Sequence, residues 1–365
     1  MAVININDLV KVYGDDVLAV DEIDLTIDDG EFVTLVGPSG SGKSTILRML
    51  AGLVEPTSGE IRFDEEEVTK RPPQERDIAM VFQDYALYPN MNVRENMEFG
   101  LKMHGFDKEE RDEAVQEAAE MLQIEELLER DIKQLSGGQQ QRVALGRSLV
   151  RDPDVFLLDE PLANLDAKLR TEMRTTLIEL QRELDITTVY VTHNQIEAMT
   201  MSDRVAVVNY GEIQQFDEPQ TLFREPSNRF VADFIGNPTM NFYDCRIDTR
   251  TGEVTTESFD LDLSADEDVM ANVEQLTDGE YIMGIRPQHL GIDSGDKADA
   301  TSIRTEVSIV EPAGEEQIVH FDIGDERITT VEDEHIRIDK GDEVVLDVDL
   351  KSLHLFDPET KEAVL

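Results

Sequence analysis

The chain has 365 residues, enough for two domains, and carries 80 acidic against 33 basic residues, a formal charge of −47. This balance argues strongly against a nucleic-acid partner, because binding to DNA or RNA relies on basic surfaces that neutralise phosphates. No stretch approaches about 18 consecutive apolar residues, so the sequence predicts no membrane-spanning helix.

The N-terminal segment MAVININDLV lacks the basic stretch and apolar block of an export signal, and the single cysteine, Cys245, is expected to stay reduced. We therefore expect a cytoplasmic protein. Apolar residues make up 40% of the chain and recur with a clear period, which is not typical of a disordered acidic chain. The acids are spread along the sequence, a pattern typical of proteins from halophiles, where a Debye length of about 3 Å screens their repulsion. We predict that folding requires high KCl.

Short apolar strands alternate with amphipathic helices over the first part of the chain. In chain order the pattern predicts a strand at 31–36, a helix at 43–53, a strand at 78–82, helices at 93–102, 108–123 and 137–150, a strand at 155–159, a helix at 167–184, and strands at 188–192 and 204–209. This alternation is typical of a mainly parallel sheet covered by helices on both faces.

The pattern changes after about Gly236. Short period-two segments such as RTEVSIV and EVVLDVDL follow, separated by Gly, Asp and Pro. They predict a second, β-rich and barrel-like domain.

The stretch LVGPSGSGKSTILRML, residues 35–50, places glycines between a predicted strand and a predicted helix. Gly37, Gly42, Lys43 and Ser44 match the phosphate-binding pattern G-x-x-x-x-G-K-[ST]. Glycines let consecutive backbone N–H groups turn around phosphate oxygens, and the start of the helix adds partial positive charge. We expect Lys43 to neutralise the β- and γ-phosphates and the Ser44 hydroxyl to bind Mg²⁺.

The segment VFLLDEP, residues 155–161, is an apolar strand that ends in two carboxylates. Asp159 fits a residue that holds Mg²⁺ through water, and Glu160 fits the base that orients or deprotonates the attacking water. A pair of acids that merely follows a strand is the alternative, and the phosphate-binding loop argues against it.

The segment LSGGQQQR, residues 135–142, places Ser136, Gly137 and Gly138 at the start of a predicted helix, which is a second anion-binding feature. One γ-phosphate does not need two glycine-rich helix ends from the same chain. The economical explanation is that this second feature completes the nucleotide site of a partner subunit.

Together these segments resemble the ATP-binding subunits of ABC transporters, and the resemblance covers nearly the whole chain. It implies an α/β P-loop NTPase domain of ABC type over residues 1–236, with a helical subdomain at about 84–150. An all-β, OB-like (TOBE/MOI) regulatory domain is expected over 237–365. The resemblance also implies that the protein binds ATP with Mg²⁺ and hydrolyses it to ADP and phosphate to drive transport.

The resemblance assigns further catalytic roles. Gln83, in VFQDYALYP, falls on the Q-loop glutamine that reaches Mg²⁺ and the attacking water. His193, in YVTHNQ, falls on the switch histidine that senses the γ-phosphate. Lys43, Glu160, His193 and Gln83 are therefore the expected catalytic residues, and the expected metal-binding residues are Ser44, Gln83 and Asp159.

Nucleotide contacts are implied by three more motifs. Tyr13, in KVYGD, matches the aromatic residue that stacks on adenine, and Asp166 lies in the D-loop. The residues expected to bind ATP are Tyr13, Gly37, Pro38, Ser39, Gly40, Ser41, Gly42, Lys43, Ser44, Thr45, Ser136, Gly137, Gly138, Gln139 and Asp166. Asn194 stands where the family usually has Asp, and Asn164 where a small residue is more frequent; neither change removes a catalytic group.

The type of transporter is indicated by the C-terminal part. GIRPQHL, residues 284–290, and LHLFDPET resemble the regulatory barrels of importers for sugars, polyamines, sulfate or iron. LDAKLR and NPTMNFYDC are most similar to the maltose-type carbohydrate-uptake ATPases. Sugar import is thus the leading interpretation; import of a polyamine, sulfate or iron is the alternative, and a soluble ABC-type ATPase clamp is a remote one.

The resemblance also implies partners. It implies a homodimer or a heterodimer with a paralogue, transmembrane permease subunits, and an extracellular solute-binding protein in the complex, with the chain at the cytoplasmic face of the membrane. Tyr85, Leu87, Tyr88 and Met91 are candidates for the surface that docks the permease, although packing in the core explains them as well.

Overall fold

The computed structural model describes residues 2–14, 16–293, 301–324 and 326–365. The chain forms two compact units, residues 1–219 and 220–365. The second unit begins before the predicted domain boundary at 236/237, because Arg286 of the β-rich part donates hydrogen bonds to the carbonyls of Phe223 and Ile235. The boundary at 236/237 follows the change in strand pattern and stays a prediction.

The first unit alternates strands and helices, as predicted. Its strands are β1 (Ile4–Tyr13), β2 (Val17–Ile27), β3 (Phe32–Val36), β4 (Ser58–Phe63), β5 (Glu66–Glu67), β6 (Ile78–Val81), β7 (Val155–Asp159), β8 (Thr187–Thr192), β9 (Arg204–Asn209) and β10 (Glu212–Asp217). Its helices are α1 (Lys43–Leu50), α2 (Val93–Met103), α3 (Lys108–Met121), α4 (Gly137–Leu149), α5 (Ala167–Leu184) and α6 (Gln195–Met201). The predicted strands and helices are present, with ends that move by up to three residues.

A six-stranded sheet with the order β10-β9-β3-β8-β7-β6 forms the centre of this unit. All neighbours are parallel except β10, which is antiparallel to β9 at the edge. Strand β7 is buried throughout, and its residues alternate between two cores: Val155 and Leu157 face one, while Phe156 and Leu158 face the other. A strand covered on both faces is expected to be apolar along its whole length, which explains the run VFLL.

The two cores differ in what they contain. One includes residues of helices α2, α3, α4 and α5, and therefore holds the predicted helical segment against the sheet. The other includes residues of α1 and of a four-stranded antiparallel sheet with the order β2-β1-β4-β5. This antiparallel sheet was not predicted. Among the described residues no helix is both long and apolar enough to cross a membrane.

The second unit is mainly β. Its strands are β11 (Asn241–Asp248), β12 (Glu253–Thr255), β13 (Asp260–Asp262), β14 (Gly279–Ile285), β15 (Leu290–Asp293), β16 (Ser302–Ala313), β17 (Glu316–Ile323), β18 (Glu326–Asp333), β19 (Glu343–Val348) and β20 (Leu353–Phe356). They form two five-stranded antiparallel sheets, β13-β12-β11-β14-β20 and β15-β19-β16-β17-β18. Short helices α7 (Pro219–Arg224), α8 (Arg229–Phe234) and α9 (Glu267–Val273) complete it. One apolar core includes residues from both sheets, as the barrel-like prediction requires.

Candidate nucleotide-binding site

Three neighbouring strands place most of the predicted catalytic residues at one edge of the parallel sheet. Val36 pairs with Thr192, and Asp159 pairs with Val191, so β3, β7 and β8 end side by side. The phosphate-binding loop follows β3, Glu160 follows β7, and His193 follows β8. The crevice beyond the carboxyl ends of parallel strands is where open α/β sheets bind ligands.

The phosphate-binding loop ends at Gly42, the residue before α1. Gly42 has φ +107°, and a Cβ there would lie 2.4 Å from the Ala19 carbonyl oxygen, so only glycine fits. No side chain caps α1. The helix start therefore presents its backbone N–H groups and partial positive charge to an anion, which is the arrangement that binds phosphate.

Lys43 is held inside this loop. Its ammonium donates to the carbonyls of Gly37 at 2.9 Å and Pro38 at 2.7 Å, and to the Ser41 hydroxyl at 3.2 Å. Burial lowers the pKa of Lys43, while the carboxylates of Glu160 and Asp159 act in the opposite direction. Those two acids therefore lie close enough to favour the cation that the predicted role requires.

Oxygen donors for a magnesium ion lie next to the loop. The Ser44 hydroxyl donates to Asp159 Oδ1 at 3.0 Å, although the two residues are 115 positions apart. Among the described residues there is no cluster of three or more His, Cys, Asp or Glu that would hold a metal alone. A hydroxyl and one carboxylate nevertheless fit Mg²⁺, which binds in such sites through few protein oxygens together with phosphates and water.

Glu160 and His193 form a pair at the ends of adjacent strands. His193 Nδ1 lies 3.2 Å from Glu160 Oε2, and the Glu160 backbone N–H donates to the Val191 carbonyl. Glu160 has φ +48°, a left-handed conformation that is uncommon for a residue with a side chain. Such backbone strain is found at functional sites, and here it accompanies the carboxylate predicted to act as base.

Asn194 follows the switch histidine and departs from the family pattern, but the structure shows that it keeps a local role. Its side-chain oxygen accepts from the backbone N–H groups of Ile196 at 2.9 Å and Glu197 at 3.3 Å. This is the hydrogen bonding of an N-terminal helix cap, for which Asn and Asp are equally suited. The substitution therefore leaves the start of α6 intact.

Gln83 and the D-loop are joined in the same chain. The Asn164 side chain donates from Nδ2 to the Gln83 carbonyl oxygen at 3.0 Å. The Gln83 side chain is exposed. Downstream, Tyr85 and Ala86 both have positive φ, and Arg147 of α4 donates to the Ala86 carbonyl at 2.7 Å.

The signature segment forms the start of α4. Ser136 accepts a hydrogen bond from the Gln139 backbone N–H at 3.4 Å, and its own N–H donates to the Gln139 side chain at 3.0 Å. A Cβ on Gly138 would lie 2.6 Å from a methyl of Leu169 on α5, so glycine is required for the two helices to approach. Within the part of the chain that the structure describes, no hydrogen bond links residues 136–139 to the loop at 37–45.

Asp166 and Tyr13 occupy the remaining predicted positions. The Asp166 carboxylate accepts from the Leu169 N–H at 3.0 Å and caps α5. Tyr13 lies at the end of β1, 39% exposed, with the Lys11 ammonium 5.1 Å from its ring centre. The hairpin of β1 and β2 reaches the phosphate-binding loop through Ala19 and Gly42.

The structure thus brings the predicted residues into two groups. Hydrogen bonds and neighbouring strand ends connect residues 37–45, Asp159, Glu160 and His193, while the signature packs with the D-loop and α5. Two charged residues were missed: Arg170, which contacts the D-loop, and Glu197, which contacts the segment around His193. Their partners are backbone carbonyls and hydroxyls, and no short motif marks such contacts.

Comparison with known protein families agrees with this geometry. Residues 20–163 match the model of the ABC transporter family, residues 236–290 match the MalK OB fold domain, and residues 283–356 match the TOBE domain. The matches cover the nucleotide-binding part and the β-rich part separately, and they confirm the predicted fold class of both.

Two curated relatives align over the whole chain. XacJ of Haloferax volcanii, a xylose/arabinose import ATP-binding protein, is 49% identical over 100% of this chain and 96% of its own length. XacK of the same organism, also a xylose/arabinose import ATP-binding protein, is 50% identical with the same coverage. Among solved structures, the ATP-binding cassette MJ0796, a dimer in a post-hydrolysis state with ADP and Pi, is 32% identical with TM-score 0.53, covering 59% of this chain and 98% of that one. The chain belongs to the ATP-binding proteins of ABC importers, a family of ATPases that bind and hydrolyse ATP.

Proposed function

We propose that the chain powers uptake of a sugar through a separate transmembrane permease. The observation that carries this proposal is the identity of about half of all residues, over the whole chain, to two proteins named for xylose and arabinose import. The transported molecule does not contact an ATP-binding subunit in this scheme. Its chemical class therefore rests on the relatives and not on a pocket in this chain.

The residues at the sheet edge carry hydrolysis. Lys43 and the N–H groups at the start of α1 bind the β- and γ-phosphates, and Tyr13 stacks on the adenine. Glu160 accepts the proton of the attacking water or orients it. His193, 3.2 Å from Glu160, contacts the γ-phosphate and reports its presence. Because phosphoryl transfer needs little covalent chemistry from a protein, positioning and charge neutralisation account for most of the catalysis.

Magnesium fits the oxygen donors beside the loop. Ser44, Asp159 and Gln83 are the residues that would hold it, and the hydrogen bond between Ser44 and Asp159 shows that two of them already lie together. The ion would supply positive charge at the β- and γ-phosphates. Gln83 contributes a side-chain amide that is exposed, so its approach to the site accompanies closure of the dimer.

The signature completes the site of a second chain. Ser136, Gly137, Gly138 and Gln139 form an uncharged helix start that carries no hydrogen bond to the phosphate-binding loop of the same chain. In the head-to-tail dimer that we propose, they face the γ-phosphate of the partner's ATP, and Asp166 lies at the same interface. The dimeric assembly described for MJ0796 supports this arrangement.

A paralogue could replace the second copy of this chain. Haloferax volcanii has two proteins, XacJ and XacK, that are both named for xylose/arabinose import and are nearly equally identical to this chain. That observation favours a heterodimer as the second candidate. The two assemblies differ in a simple measurement, because only the homodimer gives ATPase activity with this chain alone.

The permease docks beside Tyr88 in our proposal. A groove of about 210 Å³ lies between β6, α2 and α4, and six of its lining residues are Ile78, Met80, Tyr88, Phe99, Arg147 and Arg151. The Tyr88 ring is 40% exposed, 4.7 Å from the Phe99 ring and 5.5 Å from the Arg147 guanidinium. Tyr85 and Leu87 instead pack against the core. Of the candidate residues, Tyr88 therefore offers the best contact for a cytoplasmic loop of the permease, and the chain would lie peripherally at that membrane face.

Reconstitution with the permease and solute-binding protein tests the function. We expect ATP hydrolysis by the assembled complex to rise when xylose, arabinose or maltose is added with the binding protein. If ATP hydrolysis rises only with a polyamine, with sulfate or with ferric iron, the chain serves one of the alternative importers. Failure of the chain to co-purify with any permease would contradict the transport role and favour the soluble clamp.

A further inference from the structure

Glu197, on α6, is a buried carboxylate outside the predicted site. It is 4% exposed, and its Oε2 accepts two hydrogen bonds of 2.7 Å, from the Tyr190 hydroxyl and from the Thr192 hydroxyl. Burial, more than the neighbouring carboxylates, raises the pKa of Tyr190 well above its usual value, so this hydroxyl stays a donor. Thr192 immediately precedes the switch histidine, and its hydroxyl also accepts from the Asn194 N–H at 3.0 Å.

Glu197 therefore fixes the switch segment, which we define as residues 192–194. The Glu197 Oε2 oxygen accepts one hydrogen bond from the hydroxyl of Tyr190, within β8, and one from the hydroxyl of Thr192, the last residue of β8. These two residues flank Val191. The backbone on both sides of His193 is tied to the same threonine hydroxyl. His193 lies between Thr192 and Asn194, and no hydrogen bond links its ring to Glu197.

Arg170, on α5, faces the same carboxylate from the other side. Its Nε lies 3.8 Å from Glu197 Oε1. The guanidinium also donates to two carbonyls of the D-loop segment, residues 162–166: Nη2 to Leu165 at 2.9 Å and Nε to Leu162 at 3.4 Å. A planar guanidinium can hold several oxygens in a fixed geometry, which an ammonium cannot do.

The D-loop segment is in turn connected to Glu160. The Ala163 N–H donates to the Glu160 carbonyl at 3.2 Å, and only Pro161 separates Glu160 from Leu162. The ion pair between the buried Glu197 carboxylate and the partly exposed Arg170 guanidinium thus connects the backbone that follows Glu160 to the backbone that carries His193. The 3.2 Å contact between the side chains of Glu160 and His193 joins these two backbone segments.

We propose that the Arg170–Glu197 pair is a positioning device for hydrolysis: it fixes the D-loop segment against the switch segment and so sets the geometry of Glu160 relative to His193. Neither residue is among those proposed to bind the nucleotide or the attacking water, so we assign both as positioning residues and not as catalytic ones. The inference rests on the proposed roles of Glu160 and His193. Small displacements of a catalytic group have large effects, since a shift of about 1 Å can reduce a rate about a hundredfold.

Kinetics separate this role from a purely structural one. A pair that only stabilised the fold would, when removed, lower the fraction of folded protein and leave the rate per folded site unchanged. A positioning pair lowers kcat at saturating ATP and leaves KM and the dissociation constant for ATP unchanged, because Lys43 and the phosphate-binding loop are not affected.

Four variants test the proposal. Glu197→Gln keeps the shape of the side chain and removes its charge; Arg170→Met removes the guanidinium; Arg170→Lys keeps the charge without the fork. Arg182→Met removes an exposed guanidinium from the same helix and is the matched control. Rates are measured on the full chain and divided by the number of folded sites that bind labelled ATP.

We expect kcat to fall about tenfold or more in Glu197→Gln and Arg170→Met, less in Arg170→Lys, and not in Arg182→Met. The ATP dissociation constant should stay within about twofold in all four. The double variant that combines Glu197→Gln with Arg170→Met should be no slower than the slower of these two single variants, because both substitutions break the same interaction. Since the Arg170 side chain is 35% exposed, Arg170→Lys should fold even if Glu197→Gln does not, and it then carries the test.

Unchanged kcat per folded site in Glu197→Gln and Arg170→Lys would overturn the proposal, as would losses that simply add in the double variant. Glu160→Gln, measured in the same assay, distinguishes a failure of the positioning role from a failure of the proposed catalytic site. If Glu160→Gln is inactive while the four variants are fully active, the positioning role is wrong and the proposed catalytic site stands. If Glu160→Gln is fully active, the proposed site itself is wrong.

Discussion

His193 Nδ1 and Glu160 Oε2 lie 3.2 Å apart at the ends of two adjacent parallel strands. The pair joins a side chain that can accept a proton to one that can contact the γ-phosphate. In the roles that we propose for them, base and sensor of the γ-phosphate, we expect the two side chains to move together when the dimer closes.

The first prediction concerns the base. Glu160→Gln keeps the size of the side chain but removes the carboxylate that we propose takes the proton from water. ATP should still bind and close the dimer, and hydrolysis should slow at least tenfold, an effect of about 1.4 kcal/mol or more on the barrier. Size-exclusion chromatography with ATP and a phosphate-release assay measure both effects. Full turnover by this variant would remove Glu160 from the role.

The second prediction concerns stability. Arg76 is buried and donates to the carbonyls of Met49, Leu50, Thr69 and Arg71, which fixes the C-terminal end of α1. Burial lowers its pKa to about 10, so the cation is retained at neutral pH. Arg76→Met removes the guanidinium that donates to these four carbonyls, of which Met49 keeps a second donor, the Gly52 N–H.

Arg76→Met should lower the free energy of unfolding by about 2 to 4 kcal/mol. Chemical denaturation of the full chain in high KCl measures this value. Arg71→Met is the control, because its guanidinium is partly exposed and pairs with the exposed Glu66, so its loss should change stability by less than about 1 kcal/mol. Equal effects of the two substitutions would show that the buried contacts of Arg76 are not what stabilises this region.

The third prediction concerns pH. Burial, assisted by the positive charges of Arg286 and His289, lowers the pKa of His354 to about 4. The unfolded chain takes up the proton near the ordinary value of about 6.5, before the folded chain does. The free energy of unfolding is therefore not reduced by protonation of His354 above about pH 6.5, and it falls by about 2 to 3 kcal/mol as the pH falls towards 4.

Denaturant titrations between pH 7 and 4 at constant high KCl measure how steeply the free energy of unfolding changes with pH. His354→Gln should flatten this slope, because the side chain no longer takes up a proton in the unfolded chain. His335→Gln, which removes an exposed imidazole in the same unit, is the matched control. An identical slope in His354→Gln and in the parent would show that protonation of His354 does not limit stability in acid.

The fourth prediction concerns salt. With 80 acidic and 33 basic residues, the folded chain concentrates negative charge on its surface. The Debye length falls from about 10 Å at 0.1 M to about 3 Å at 1 M, so the repulsion between carboxylates decreases as KCl is added. The melting temperature should rise by several degrees between dilute buffer and molar KCl. A melting temperature that does not change would contradict the predicted adaptation to salt.

The parts of the fold that the sequence predicts are those encoded locally. The phosphate-binding loop and the strand VFLLD are recognisable because a few adjacent residues determine their conformation. The antiparallel sheet beside them was missed, although β2 has alternating buried and exposed residues from Ile23 to Ile27. Strand β2 pairs with the preceding strand, Ile4–Tyr13, as a hairpin. The pairing of Ile4–Tyr13 with Ser58–Phe63 joins segments distant in the chain, and no local pattern specifies that.

The residues of the site that the sequence did not predict were missed for the same reason, because folding makes their contacts and no local pattern specifies them. Arg170 and Glu197 are ordinary charged residues in helical segments, and their importance comes from carbonyls and hydroxyls brought near by folding. Gly138 was singled out as an anion-binding glycine, whereas the structure adds a packing reason, the approach of Leu169. Such contacts depend on how elements pack, which a single sequence does not reveal.

A composite nucleotide site built from two chains is the central claim, and complementation between two inactive variants tests it most directly. Lys43→Ala removes the ammonium from the phosphate-binding loop, and Ser136→Arg blocks the signature. In a head-to-tail mixed dimer, one site joins the intact loop of one chain to the intact signature of the other.

ATP hydrolysis is measured for each variant alone and for an equimolar mixture, under conditions where the unmutated chain is active. Each variant alone should be nearly inactive, and the mixture should recover up to about one quarter of the parental rate, since half of the dimers are mixed and each has one intact site. A mixture as inactive as its components, or a Ser136→Arg chain that hydrolyses ATP at the parental rate, would contradict the account.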